Sequence, residues 1–273
     1  MFHVFTDLDR TLFQSLPGQT PSLSTQVTNK LWITPEQKSL WALCHQAEMV
    51  VPVTARKPEQ FYNGTLPWQK VFTSYKIASH GAEILLPDGR FDAVWMEHVF
   101  EGLRRVSETL EAILLIMERH VSNAPWMKVE TYRISHEKNL VWLNLVVNNE
   151  LVMKNQDDIM RCYDMSNLVD TPITPIEVAH QVARSIAMTG YNMLLDVDPD
   201  CRCFLLAPHF TIMPSAYSKK SAVAHVMKSL SHDAVTLGIG DATADWSFMS
   251  LCDFQMLPSQ TQISLKVSEI IDS

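Results

Sequence analysis

No block of lysine or arginine occurs anywhere in this chain. It carries 22 basic residues against 30 acidic ones, for a formal net charge of −8. That balance argues against a nonspecific DNA- or RNA-binding surface, though not against a local basic pocket. Long apolar runs are missing too. The longest obvious candidate, LEAILLIM from Leu110 to Met117, is too short to span a bilayer, so no membrane partner is expected. No basic flank or cleavage site precedes the first apolar segment. The five cysteines, Cys44, Cys162, Cys201, Cys203 and Cys252, form no disulfide framework. An odd, scattered set reads as reduced thiols in the cytoplasm. Cys201-x-Cys203 lacks the two-residue gap of a zinc knuckle or redox motif, so packing is its expected role. There is no internal repeat and no low-complexity tract. Charged residues make up 19%, too few for a disordered acidic protein, and hydrophobic residues 47%, enough for an ordinary soluble core. A length of 273 residues suits one large domain or two modest ones. The oligomeric state cannot be read from the sequence.

What is present begins at the first stretch, Phe2 to Phe13, reading FHVFTDLDRTLF. Bulky and β-branched residues run into an abrupt polar turn, the pattern of a buried strand entering a loop. In extended chain, side chains two apart point the same way. Asp7 and Asp9 are therefore expected to face one site just beyond the strand end, where open α/β sheets bind ligands. Two carboxylates ~4 Å apart at an effective dielectric of ~20 repel by about 4 kcal/mol. They call for a proton, a basic side chain or a metal ion.

Further signals follow along the chain. Gln14 to Asn29 is polar and reads as a loop over the site. Thr34-Pro35-Glu36-Gln37 opens a helix. Met49 to Val53 is a second strand that ends in Thr54-Ala55-Arg56, a hydroxyl and a guanidinium at a strand–helix junction that suits an anion. Lys76 to Ser79 is a third strand. It ends at His80-Gly81, two possible ligand contacts alongside Arg56. The pattern then changes. A hairpin over Glu83 to Phe91, a helical stripe over Glu97 to Val121 and two strands within Thr131 to Asn148 are expected. Helices over Asp157 to Tyr163 and Ile176 to Met188 follow, then a strand pair, Asn192 to Val197 with Arg202 to Ala207. This stretch reads as an α+β unit, distinct from the β-α alternation before it.

The first pattern then returns. Ser218-Lys219-Lys220-Ser221 opens a helix, and a lysine there opposes the helix dipole unless an anion sits beside it. The strand AVTLGI, Ala234 to Ile239, runs into Gly240-Asp241-Ala242-Thr243-Ala244-Asp245, and Gln260 to Ile271 reads as a closing helix. Asp7, Asp9, Thr54, Lys219, Asp241 and Asp245 thus fall in order at the carboxyl ends of strands. Four carboxylates require a cation. Mg²⁺ is the natural choice for hard oxygen ligands without a His/Cys cluster. With one Thr and one Lys beside it, the set makes a phosphoryl-transfer site.

The four groups, DLDRT at Asp7 to Thr11, Thr54, Lys219 and GDATAD at Gly240 to Asp245, together resemble the motifs of the haloacid dehalogenase (HAD) superfamily. TAR after the second strand, SHGAE around Gly81 and SKKSAV around Lys219 look most like its Cof-type and sucrose-phosphatase-like branch. The resemblance implies an α/β fold: a Rossmann-like, mostly parallel sheet flanked by helices over 1–82 and 208–273, and an inserted α+β cap of type 2 over 83–207. It implies that Asp7 is the nucleophile, Asp9 the general acid and base, and Thr54, Ala55 and Lys219 the phosphate-binding residues. It assigns Mg²⁺ to Asp7, Asp241 and the backbone carbonyl of Asp9, with Asp245 binding the metal directly or orienting its waters. The expected activity is phosphomonoester hydrolysis of a small phosphorylated metabolite, a sugar phosphate by branch. Phosphomutase or phosphotransferase chemistry through the same intermediate, or phospho-ligand binding without turnover, are the alternatives. Four positions depart from the pattern. Arg10 stands where glycine is usual, either pointing to solvent or adding positive charge near the phosphate. Lys220 replaces a frequent glycine, Ala244 a frequent asparagine and His80 another asparagine.

Overall fold

The computed structural model describes residues 2–15, 31–32, 34–62, 72–134, 139–162, 173–206, 208–231 and 233–258. The expected closing helix and most of the expected polar loop lie outside them. In chain order the first elements are β1 (Phe2–Thr6), β2 (Gln14–Ser15), β3 (Leu31–Trp32), α1 (Pro35–Cys44), β4 (Met49–Pro52), α2 (Glu59–Tyr62), β5 (Lys76–Ala78), a 3₁₀ turn (Ser79–Gly81), β6 (Glu83–Leu85) and α3 (Ala93–Val121). Next come β7 (Met127–Arg133), β8 (Leu140–Val147), α4 (Asn149–Lys154), α5 (Gln156–Cys162), α6 (Pro175–Leu195), β9 (Arg202–Leu206) and β10 (His209–Met213). The chain closes with α7 (Lys219–Met227), β11 (Val235–Ile239), α8 (Thr243–Met249) and β12 (Phe254–Met256). Two compact units result: Met1–Val99 with Tyr217–Ser273, and Phe100–Ala216.

The first unit is built on a sheet of order β12-β11-β1-β4, parallel throughout. β1 is central, and residues on both its faces are buried, polar His3 and Thr6 along with Val4 and Phe5, as expected of a parallel strand covered on both sides. Val4, Leu8, Trp41, Cys44, Val50 and Ile239 share its core. α1 starts where its sequence says it should. Thr34 accepts from the Gln37 backbone N–H at 3.2 Å, the Gln37 side chain accepts from the Thr34 N–H at 3.1 Å, and Pro35 fills the first turn. Gly81 (φ +98°) fixes a close approach. A Cβ there would lie 2.3 Å from the Ser218 carbonyl oxygen, so only glycine lets this turn pack on the start of α7.

The second unit has an antiparallel sheet, β7-β8-β10-β9. Leu143, Leu145, Phe210 and Ile212 on this sheet pack with Leu110, Ile113 and Met117 of α3 and Ala183 and Ile186 of α6. One sequence expectation is overturned here. Asn192 to Leu195 is not strand but the last turn of α6, and Asp196 is its C-cap. Gly190, which looks like a helix breaker, lies inside the helix because a Cβ would come within 2.6 Å of Ile113. The glycine serves packing between helices, not termination.

Candidate active site

β1 ends at Thr6, and the Asp7 N–H donates to the Ile239 carbonyl at 2.8 Å, so the ends of the two neighbouring strands are held level. That register brings Asp7 to the loop after β11, which carries Asp241. Asp245 sits one turn further, at the third position of α8, and its Oδ2 accepts from the Ala242 N–H at 3.0 Å. Ala242 has no side chain to cap the helix itself, so Asp245 both ties down its own helix start and faces the cluster. Gly240 makes this fold-back possible: a Cβ there would lie 2.5 Å from the Asp245 Cβ. Asp7, Asp241 and Asp245 are all buried, and each offers an oxygen within 4.8 Å of the others.

Lys219 reaches into this cluster from the first turn of α7, whose N-cap is Ser218. Its Nζ donates to Asp7 Oδ1 at 2.7 Å and to Asp245 Oδ1 at 2.6 Å. Only 9% of the residue is exposed, whereas Lys220 is on the surface. The unfavourable position of a cation at a helix N-terminus is therefore offset by two carboxylates in contact with it. Burial works to depress the Lys219 ammonium, but the Asp245 and Asp7 charges outweigh it and hold it above its ordinary value. Burial pushes Asp7 well above the usual carboxylate range. Lys219 opposes that shift, and Asp245, Asp241 and Asp9 add to it. Burial likewise pushes Asp241 up to about 6, against the pull of Arg10.

The remaining residues singled out by the sequence sit around this cluster. Thr54 is fully buried beyond β4, beside the end of β1; its N–H donates to the Ile77 carbonyl at 3.0 Å and its Oγ accepts from the Arg56 N–H at 3.2 Å. Ala55 lies in the same turn. Arg56 is 8% exposed and clamps Asp9 with two bonds, Nε to Oδ2 at 2.8 Å and Nη2 to Oδ1 at 2.6 Å. Its guanidinium also lies over the Phe13 ring, 5.0 Å from the centroid. Asp9 thus faces Arg56, whereas Asp7 faces Lys219. His80 (φ +60°) takes the left-handed conformation that asparagine tolerates well, which accounts for the usual residue there, and its N–H donates to the Thr54 carbonyl at 3.0 Å. Gly81 contacts the α7 backbone, and its carbonyl accepts from the Trp95 indole at 3.0 Å.

Two residues of the DLDRT turn that the sequence reading did not place among the metal or phosphate ligands also reach the cluster. Thr11 points its hydroxyl between Asp7 Oδ2 and Asp241 Oδ1, 3.4 Å from each. Arg10, at φ +63°, places its Nε 3.2 Å from Asp241 Oδ2. The signal for both was the D-x-D-x-T spacing, which returns the chain over the strand end. Three buried acids against Lys219 and Arg10 leave one negative charge, carried on hard oxygens. That donor set fits a hard divalent cation held by Asp7, Asp241 and Asp245.

The structure is similar to a number of solved ones, three of which follow. Sucrose-phosphatase from Synechocystis sp., in complex with sucrose and phosphate, superposes with a TM-score of 0.51 at 11% identity, over 99% of this chain and 97% of that one. A trehalose-6-phosphate phosphatase related protein gives 0.50 at 16% identity, over 99% and 96%. A haloacid dehalogenase-like hydrolase from Bacteroides thetaiotaomicron gives 0.50 at 12%, over 99% and 98%. No protein-family model matches the sequence, and no curated protein does. At these identities the shared property is architecture, and all three cover nearly the whole chain. The protein has the fold of the haloacid dehalogenase superfamily.

Proposed function

We propose that this chain is a Mg²⁺-dependent phosphomonoesterase acting on a small phosphorylated metabolite, with a sugar phosphate as the favoured class. The observation that carries the reading is the buried constellation of Asp7, Lys219, Asp241 and Asp245 at the ends of β1 and β11. The sugar preference rests on the neighbours of like fold, which include a sucrose-phosphatase and a protein related to trehalose-6-phosphate phosphatase.

Asp7 is the nucleophile. Its carboxylate attacks phosphorus, the ester P–O bond breaks, and the leaving oxygen takes a proton from Asp9. Water then gives a proton to Asp9 and attacks the aspartyl-phosphate, releasing inorganic phosphate and restoring the Asp7 carboxylate. Lys219 aims Asp7 and neutralises phosphoryl oxygens, with Thr54 and Ala55 lining the other side of that phosphate. Asp7, Asp241, Asp245 and the Asp9 carbonyl would hold Mg²⁺, which would supply positive charge beside the phosphoryl group. Both Asp9 oxygens accept from Arg56 in this structure, so delivery of the proton requires that clamp to loosen. The inserted unit, Phe100–Ala216, acts as a cap that selects the substrate. Among the described residues no helix is long and apolar enough to cross a membrane, and the free cysteines suit a reducing, cytoplasmic setting.

The test is hydrolysis of an aryl phosphate and a panel of sugar phosphates, with Mg²⁺ and with EDTA. Turnover that needs Mg²⁺ and is abolished by Asp7→Asn, with the melting curve retained, is the expected result. Residual activity in Asp7→Asn would sink the nucleophile assignment. Product analysis with added alcohol acceptors separates hydrolysis from transfer.

A further inference from the structure

Arg10 sits between Asp9 and Thr11 in a conformation that residues with a Cβ avoid. Its φ of +63° lies in the left-handed region, which costs about 1 kcal/mol or more outside glycine. The turn is held by the Arg10 N–H, which donates to the Phe13 carbonyl at 2.7 Å. The result is a side chain carried back over the carboxylate cluster, with Nε 3.2 Å from Asp241 Oδ2. Lys219 bonds the other two acids of the cluster, Asp7 and Asp245. Asp241 is met by Arg10 and, more distantly, by the Thr11 hydroxyl at 3.4 Å.

The two partners are unequal in solvation. The Asp241 side chain is 6% exposed and that of Arg10 is 59% exposed. A guanidinium so open to water is weakly held, because exposed ion pairs contribute only about 0.2–1 kcal/mol. It is also an obstacle. A divalent cation taking Asp241 as a ligand competes with Arg10 for the same carboxylate and must accept a fixed positive charge beside it. Building on the Mg²⁺ reading above, we propose that Arg10 is the chain's own counter-ion for Asp241, displaced when the divalent cation enters, and so sets how tightly this site binds metal.

Mg²⁺ binding to the full chain tests this directly, by calorimetric titration at low and high ionic strength, for wild type, Arg10→Gln and Arg10→Lys. Glutamine keeps a Cβ in the same turn, so backbone strain is unchanged and only the charge is lost. Arg10→Gln is expected to bind Mg²⁺ roughly two- to fivefold more tightly at low salt. That gain should shrink as salt screens the exposed charge, and Arg10→Lys should stay close to wild type. Equal or weaker binding by Arg10→Gln, or a gain indifferent to salt, overturns the role of Arg10 and leaves the metal reading standing. No Mg²⁺ binding by any of the three overturns the metal reading, and this role with it.

Discussion

Lys219 and Lys220 are adjacent residues of equal charge in opposite surroundings. The first is buried against Asp7 and Asp245; the second faces water. Lys219→Ala is therefore expected to lower turnover at least about 100-fold, and Lys220→Ala less than about threefold. Removing Lys219 also strands two buried carboxylates, which costs about 3–5 kcal/mol, so melting curves belong beside the rate measurements. The reverse order of the two rates would mean that Lys220 is the phosphate-facing lysine. At this scale the aspartates were legible because strand-end acids at fixed spacing form a local pattern. The partner of Arg56 was not. It lies 47 residues back, at Asp9, and nothing in the TAR tripeptide distinguishes a guanidinium that will meet a substrate from one that will clamp a carboxylate. Arg10 is a similar case. Its left-handed turn explains why glycine is usual there, while its contact with Asp241 depends on β11 arriving beside β1.

Elements here are placed by a few contacts of high cost. The 3₁₀ turn meets α7 through Gly81, whose φ of +98° and contact with the Ser218 carbonyl tolerate no side chain. Gly81→Ala is expected to destabilise the protein by about 2 kcal/mol or more, through left-handed strain plus overlap with backbone, and to lower activity by shifting Lys219. Chemical denaturation and turnover measure the two effects. A neutral outcome would mean that α7 can retreat freely. α3 depends on a different device. Asp92 accepts from the Trp95 N–H at 3.0 Å and pairs with His225 Nε2 at 2.9 Å. Partial burial works to raise the Asp92 carboxyl, but the bonds from Trp95 and His225 win and hold it below its ordinary value. A carboxyl lowered by folding stabilises the fold above its unfolded pKa of about 3.9 and loses that contribution as pH falls through the folded value. Asp92→Ala should thus cost about 1 kcal/mol near neutral pH, and its difference from wild type should narrow below about pH 4. Denaturation at the two pH values reads this. Helix starts with capping residues, such as α1 at Thr34, were legible for the same reason that Asp92 matters. The end of α6 was not, because Gly190 answers to Ile113 on another helix rather than to its own backbone.

At the scale of the whole molecule, one cluster of charge bears on stability. Three buried acids balanced by Lys219 and Arg10 leave the metal-free fold with an uncompensated negative charge. Mg²⁺ at about 100 times its dissociation constant should raise stability by about 2.7 kcal/mol, and EDTA should remove that gain. Thermal melts with and without Mg²⁺ measure it, and identical melts would argue against metal at these three acids. The parallel sheet that frames the cluster has a kinetic consequence as well. Its central strand is made long before its partner, for Phe2 must pair with Val235 and Thr6 with Ile239. Until β11 leaves the ribosome, one edge of this buried strand is without its partner. Closing so long a loop is slow, and an open strand edge attracts other chains in the meantime. The acidic cluster between the two strands therefore forms only after β11 has been made, and heterologous yield should respond more to chaperone supply and low temperature than to any single stabilising substitution.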